Sequence, residues 1–165
     1  MAAGKYAVDT NVQPETSRAE IERTLTKYGA RQFMYGWGEH EGLEVAVVGF
    51  QAHGRQVRFH LQMPDPNDKA FRVTETGRAR TDKGAIAKAY EQAVRQRWRA
   101  LALTIKALLE AVEVGILSFE EAFLANIMLP DGSSVGDFML PQVATAYETA
   151  SMPSLLPNYR KAIES

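Results

Sequence analysis

The stretch GAIAKAYEQAVRQRWRALALTIKALLEAVEV, residues 84–114, decides how this chain folds. It contains no proline and, after Gly84, no glycine until Gly115. Apolar side chains recur at Ile86, Tyr90, Val94, Leu101, Ile105, Leu108 and Val112. These steps of three, four and seven put them on one face of an α-helix. At 1.5 Å per residue such a helix reaches roughly 45 Å, longer than a small domain is wide. The rest of the chain is expected to pack against it.

Counted at 100° per residue from Ile86, the apolar stripe spans about 0–100°. Lys88, Arg95, Arg99 and Lys106 fall at about 180–220°, opposite that stripe by this count. Arg97 falls inside the stripe, at about 20°, and Trp98 on its flank.

To the N-terminal side, residues 1–16 read as a loose arm of small, polar and proline residues. Ser17-Arg-Ala-Glu20 has the spacing of a capping box. It opens a short amphipathic helix carrying Ile21, Leu25 and Tyr28, which stops at Gly29. Three strands follow. Gln32–Trp37 alternates, with Phe33, Tyr35 and Trp37 on one side. Leu43–Phe50 is apolar on both faces, as a central strand is. In Arg55–Met63, Val57, Phe59, Leu61 and Met63 point inward and Arg58, His60 and Gln62 outward, which suits an edge strand. Short turns at Glu39–Gly42 and Gln51–Gly54 make this an antiparallel meander.

Pro64-Asp-Pro-Asn-Asp68 ends the third strand and begins a basic loop, 64–82, with a short strand expected around Phe71 and Val73. Thr81 or Asp82 caps the long helix. Beyond it, Ser118-Phe-Glu-Glu121 is another capping box, opening a helix to about Met128. Pro130-Asp-Gly132 signals a turn. A last helix is expected over Val135–Ala150, with Pro141 either kinking it or marking its first turn. Met152–Pro157 reads as an extended tail. The expectation is one α+β domain over residues 1–165: an N-terminal helix, a three-stranded antiparallel meander, one long helix packed on the sheet, and C-terminal helices.

Apolar residues make up 45% of the 165, enough for a proper core. No run approaches the roughly 20 apolar residues that cross a bilayer, and the start of the chain has no hydrophobic signal core. No membrane partner is therefore expected, and the cytoplasm is the expected location. The chain has no cysteine, which excludes disulfides, thiol catalysis and cysteine-ligated zinc. His40, His53 and His60 lack metal-ligand spacing, and no serine elbow or glycine-rich phosphate loop is present. No catalytic residue, metal or cofactor is assigned.

Charge is more informative. The net charge is −1, but residues 55–106 hold twelve Lys/Arg against five acids, a local +7. The remainder carries seven and fifteen, a local −8. Such polarity marks either an anion-binding face or two segments that neutralise each other. The first alternative predicts a nucleic-acid interface at Lys88, Arg95, Arg99 and Lys106, fed by Arg72, Arg78, Arg80 and Lys83. Arg58 and His60 extend it. Phe33, Tyr35 and Trp37 either serve the core or stack single-stranded bases.

An enzyme reading fits less well. The order helix, three strands, helix is shared with restriction-type nuclease cores, which need an acid-x-Lys triplet. Here lysine follows Asp68 directly, and the third strand has no carboxylate.

As a whole the chain resembles a group of small proteins encoded by bacteriophages and prophages. The resemblance is carried by Ser17-Arg-Ala-Glu-Ile-Glu-Arg, Tyr90-Glu-Gln-Ala-Val-Arg-Gln-Arg-Trp-Arg-Ala-Leu, Leu129-Pro-Asp-Gly-Ser-Ser-Val-Gly and Met152-Pro-Ser-Leu-Leu-Pro. It implies no activity. At fold level, a β-β-β-α core with a basic face is similar to single-strand annealing proteins of recombination, although fold does not fix function. The expected function is single-stranded DNA binding or annealing in phage replication or recombination. The alternative is a protein–protein module, as a homo-oligomer or an inhibitor of a host factor, drawing on the acidic C-terminal third. A metal-dependent nuclease is a third possibility.

Overall fold

The computed structural model describes residues 6–40, 42–74 and 76–152. The fold is α+β: α1 (Pro14–Lys27), β1 (Arg31–His40), β2 (Leu43–Ala52), β3 (Arg55–Gln62), α2 (Lys83–Glu113), α3 (Phe119–Phe123) and α4 (Val135–Thr149). The strands form one antiparallel sheet in the order β1-β2-β3, the expected meander.

α1 begins earlier than its expected capping box. Gln13 is the N-cap and Pro14 opens the first turn, where a missing N–H costs nothing. Ser17 is inside the helix and buried, its amide bonded to the Gln13 carbonyl at 3.0 Å. Glu20 is thereby freed for another partner. The C-terminus is as expected. Gly29 adopts φ +81°, and the Gly29 and Ala30 amides return to the carbonyls of Thr26 and Leu25.

β1 and β2 run longer than their apolar cores imply, whereas β3 ends at Gln62, one residue before its expected end. β1 continues through Glu39 to His40, opposite Leu43, and β2 continues to Ala52. His53 and Gly54, both at positive φ, then turn the chain into β3. The β2–β3 hairpin is thus a two-residue connection, which holds the register tightly. A bulge between Arg31 and Met34, with Gln32 at φ +55°, shifts the start of β1.

Register assigns the two faces. Trp37, Ala46 and Leu61 stand in one row and Tyr35, Val48 and Phe59 in the next. This face meets the helices: Trp37 lies edge-on to Trp98 of α2 at 6.1 Å, and Phe50 and Phe59 meet Phe123 at 5.9 and 6.2 Å. The aromatics of β1 therefore belong to the helix side of the sheet. The opposite face carries Met34, Gly36 and Gly38, then Val47 and Gly49, then Arg58, His60 and Gln62.

The core joins Ile21 and Leu25 of α1 to Val48, Phe50 and Val57, to Trp98, Leu101, Ala102, Ile105 and Leu109 of α2, and to Phe119 and Phe123. α3 is shorter than expected and gives way to a 3-10 turn at Leu124–Asn126. Ile127 then bridges to Val57, and the Met128 amide donates to the Gln56 carbonyl at 2.8 Å, covering the first part of the outer edge of β3. α4 docks beside this turn through Gly136, where a Cβ would stand 2.7 Å from the Ala125 carbonyl oxygen. Pro141 lies inside α4 and is not its first turn. Of the expected tail, 153–157 lies outside the described residues.

Truncating Trp98, only 2% exposed, should remove about 3–5 kcal/mol of stability. The check is a lowered urea midpoint with little change in slope. The caps make a second prediction. Glu121 and Asp137 accept from the backbone amides of Ser118 and Ser134 at 2.7 and 2.9 Å, and also meet the serine hydroxyls. These bonds hold both carboxylates below their ordinary values of 4.5 and 3.8. Their contribution is present above those values and lost as pH falls through the lower folded ones. Glu121→Gln and Asp137→Asn should each flatten the acid limb of melting temperature against pH.

Candidate nucleic-acid interface

The rotation of α2 determines which cations reach water. Its deepest residues, Trp98, Leu101, Ala102, Ile105 and Leu109, fall at about 60–160° on the count used above. The buried stripe is therefore turned by about 50–60° from the expected one. Arg95 and Arg99 lie on its flank, toward α1 and the N-terminal segment, not opposite it.

Both are engaged there. The Arg99 guanidinium pairs with the Glu20 carboxylate, and the two side chains are 22% and 28% exposed. Arg95 donates through Nε and Nη2 to Gln92 Oε1 at 3.1 and 2.7 Å, with Glu91 at 4.0 Å. Gln92 Nε2 in turn donates to the carbonyls of Val8 and Thr10 at 2.8 and 2.9 Å. Gln96 Nε2 does the same to Tyr6 at 2.8 Å. Residues 6–10 are thus fastened along α2, in contrast to the loose arm expected from their composition. Of the four-cation line, Lys88 and Lys106 stand exposed, as does Arg97.

The segment between β3 and α2 is built, not structureless. Asp68 caps a 3-10 turn at Lys69–Arg72 by accepting from the Ala70 amide at 2.9 Å. Val73 bridges to Ala79, and Phe71 meets Tyr90 edge-on at 5.8 Å. The expected short strand reduces to that bridge, with Phe71 inside the 3-10 turn. The Arg80 guanidinium is turned inward onto the carbonyls of Phe71 and Val73. Asp82 caps α2 by accepting from Ala85. What this fold-back leaves in water is Lys69, Arg72, Arg78 and Lys83, followed one turn into the helix by Lys88. Among the described residues no carboxylate forms an ion pair with any of these five.

Arg58 and His60 occupy the other face of the sheet, away from α2. They do not extend the helix surface. Arg58 is half-buried and donates through Nη2 to the Gly132 carbonyl at 2.9 Å. Their positive charges help lower the Asp137 carboxyl, after its bonds to Ser134. Beside Arg58 lies a cleft of about 450 Å³ lined by Gln32, Met34, Gly49, Gln56 and Leu129.

Nine of the ten expected contacts therefore fall into three places: the fold-back with the start of α2, the covered flank of α2, and the far face of the sheet; Lys106 stands apart, exposed in the C-terminal third of α2. Lys69 belongs with the first group, and its place in the same basic loop was the available signal. Nothing local in the sequence marks Gln92 and Gln96 as the clasp for residues 6–10. No group of three or more His, Asp or Glu among the described residues is arranged to hold a metal, and no described helix is long and apolar enough to cross a membrane.

Comparison with known proteins finds no matching family model, no matching curated protein and no matching solved structure.

Replacing both Gln92 and Gln96 by alanine should release the N-terminal segment. Hydrogen exchange read by mass spectrometry should then speed up over residues 6–12, while β2 stays protected.

Proposed function

We propose that the chain binds single-stranded nucleic acid through the end of α2 and the fold-back before it. The carrying observation is the set of five exposed cations, Lys69, Arg72, Arg78, Lys83 and Lys88, without a carboxylate partner among the described residues. They sit where the N-terminal pole of a long helix adds its own positive potential. Cations so arranged bind phosphates by releasing counterions, with little dependence on base sequence. The 3-10 turn at Lys69–Arg72 and the Phe71–Tyr90 ring contact already hold the backbone that carries Lys69 and Arg72, which lowers the ordering cost of binding. A role in phage replication or recombination is part of this proposal, and the binding is non-catalytic in this reading.

A second reading is favoured by α4. Leu140, Val143 and Tyr147 share one helix face at steps of three and four, with Leu140 65% and Tyr147 87% exposed. An apolar stripe of this kind suits a protein partner.

A labelled oligodeoxythymidylate titrated by fluorescence anisotropy at 50 and 200 mM salt separates the two. If all five cations meet phosphates, log K should fall with log salt at a slope of about −3.5. Arg72→Ala with Arg78→Ala should reduce that slope by about 1.4. An absence of binding at 50 mM salt overturns the proposal and leaves the α4 reading.

A further inference from the structure

The sheet has two edges, and they are treated differently. The outer edge of β3 is covered at Gln56–Arg58, where Ile127 and Met128 pair with Val57 and Gln56 and the Asn126 side chain donates to the Arg58 carbonyl. The outer edge of β1 has no such cover: among the described residues its ten-residue backbone pairs with β2 alone. Natural sheets blunt an open edge with lysine, proline, a short strand or a bulge. β1 has no lysine and no proline, and its bulge is confined to the end at Arg31–Met34. From Met34 to His40 the register is regular. Along this edge Met34 and Trp37 are 55% and 54% exposed, and Tyr35 is also exposed. A bare ladder of amides and carbonyls flanked by large apolar side chains fits an added strand.

We propose that the occupant is β1 of a second copy of this chain, paired antiparallel to give one six-stranded sheet. The strand is self-complementary in that direction. Its only charged residues are Arg31 near one end and Glu39 near the other, so antiparallel pairing sets opposite charges together at both ends, whereas parallel pairing stacks like charges. A two-fold axis near Tyr35 brings Phe33 of one copy beside Trp37 of the other, on the face that already holds Trp98. Aromatic pairs at such positions stabilise a sheet beyond their buried area. This dimer stands independently of nucleic-acid binding, since the five exposed cations lie on the loop before α2 and on that helix.

The test uses the full chain. Light scattering after size exclusion at about 100 µM protein should give twice the 18.3 kDa chain mass. Gly36→Lys with Gly38→Lys places like charges across the new seam. A Cβ is accommodated at both sites, with Val47 Cβ at 3.8 Å the nearest atom to Gly36 and open space at Gly38. That variant should keep its circular dichroism and weaken the dimer at least about tenfold. Gln62→Lys, on β3 and therefore away from the proposed seam, should leave it unchanged. Exchange of β1 amides should slow with rising protein concentration in the wild type only. A monomeric wild type overturns the proposal. So does a dimer indifferent to the two lysines, or one whose β1 amides exchange independently of concentration.

Discussion

Trp98 is the point at which three parts of the fold meet. Its indole lies edge-on to Trp37 of β1, beneath the Arg18 guanidinium of α1 at 5.4 Å from the ring centre, and rises from α2. A large ring buried on three sides fixes the rotation of the helix that carries it, because a turn of a few tens of degrees would bring the indole into water. The rotation of α2 in turn decides which of its cations are covered. Arg99 is swung toward Glu20 and Arg95 toward Gln92, while Lys88 and Lys106 are left outside. Packing of one apolar ring thus sets the electrostatics of the whole helix.

This dependence explains why the helix was legible in the sequence and its rotation was not. Spacing gives the period of a stripe with confidence because leucine, isoleucine and valine carry the signal. Its centre depends on residues that periodicity weighs poorly. Ala102 is too small to register as a core residue, yet it is buried on the same side of α2 as Trp98. Trp98 falls on the flank by periodicity because Ile86, Tyr90, Val94 and Leu108 pull the centre of the stripe away from it. The strands were read correctly in order, face and edge, since alternation is a direct consequence of the pleat. β1 and β2 extend past their expected ends, β1 because polar Glu39, exposed and opposite Glu44, is held in the strand by pairing and not by burial.

The candidate site divides along the same line. That residues 55–106 are basic is plain from composition. That Glu20 comes from 79 positions away to meet Arg99 has no local trace. The Ser17–Glu20 spacing even suggested a different use for that glutamate, which Pro14 displaced by starting α1 a turn earlier. The fold-back at 69–80 was visible as a basic loop, whereas its order depends on Arg80 turning inward and on Phe71 finding Tyr90.

The recess beside Arg58 owes its depth to a missing methyl. At Gly49, in the middle of the central strand, a side chain would begin 3.1 Å from the Met34 terminal carbon. Alanine there would push the thioether outward or fill the hollow from below, and anything larger would level it with the surrounding sheet. The shape of that surface is therefore written at a single codon, and one substitution would erase the hollow while leaving every strand in register.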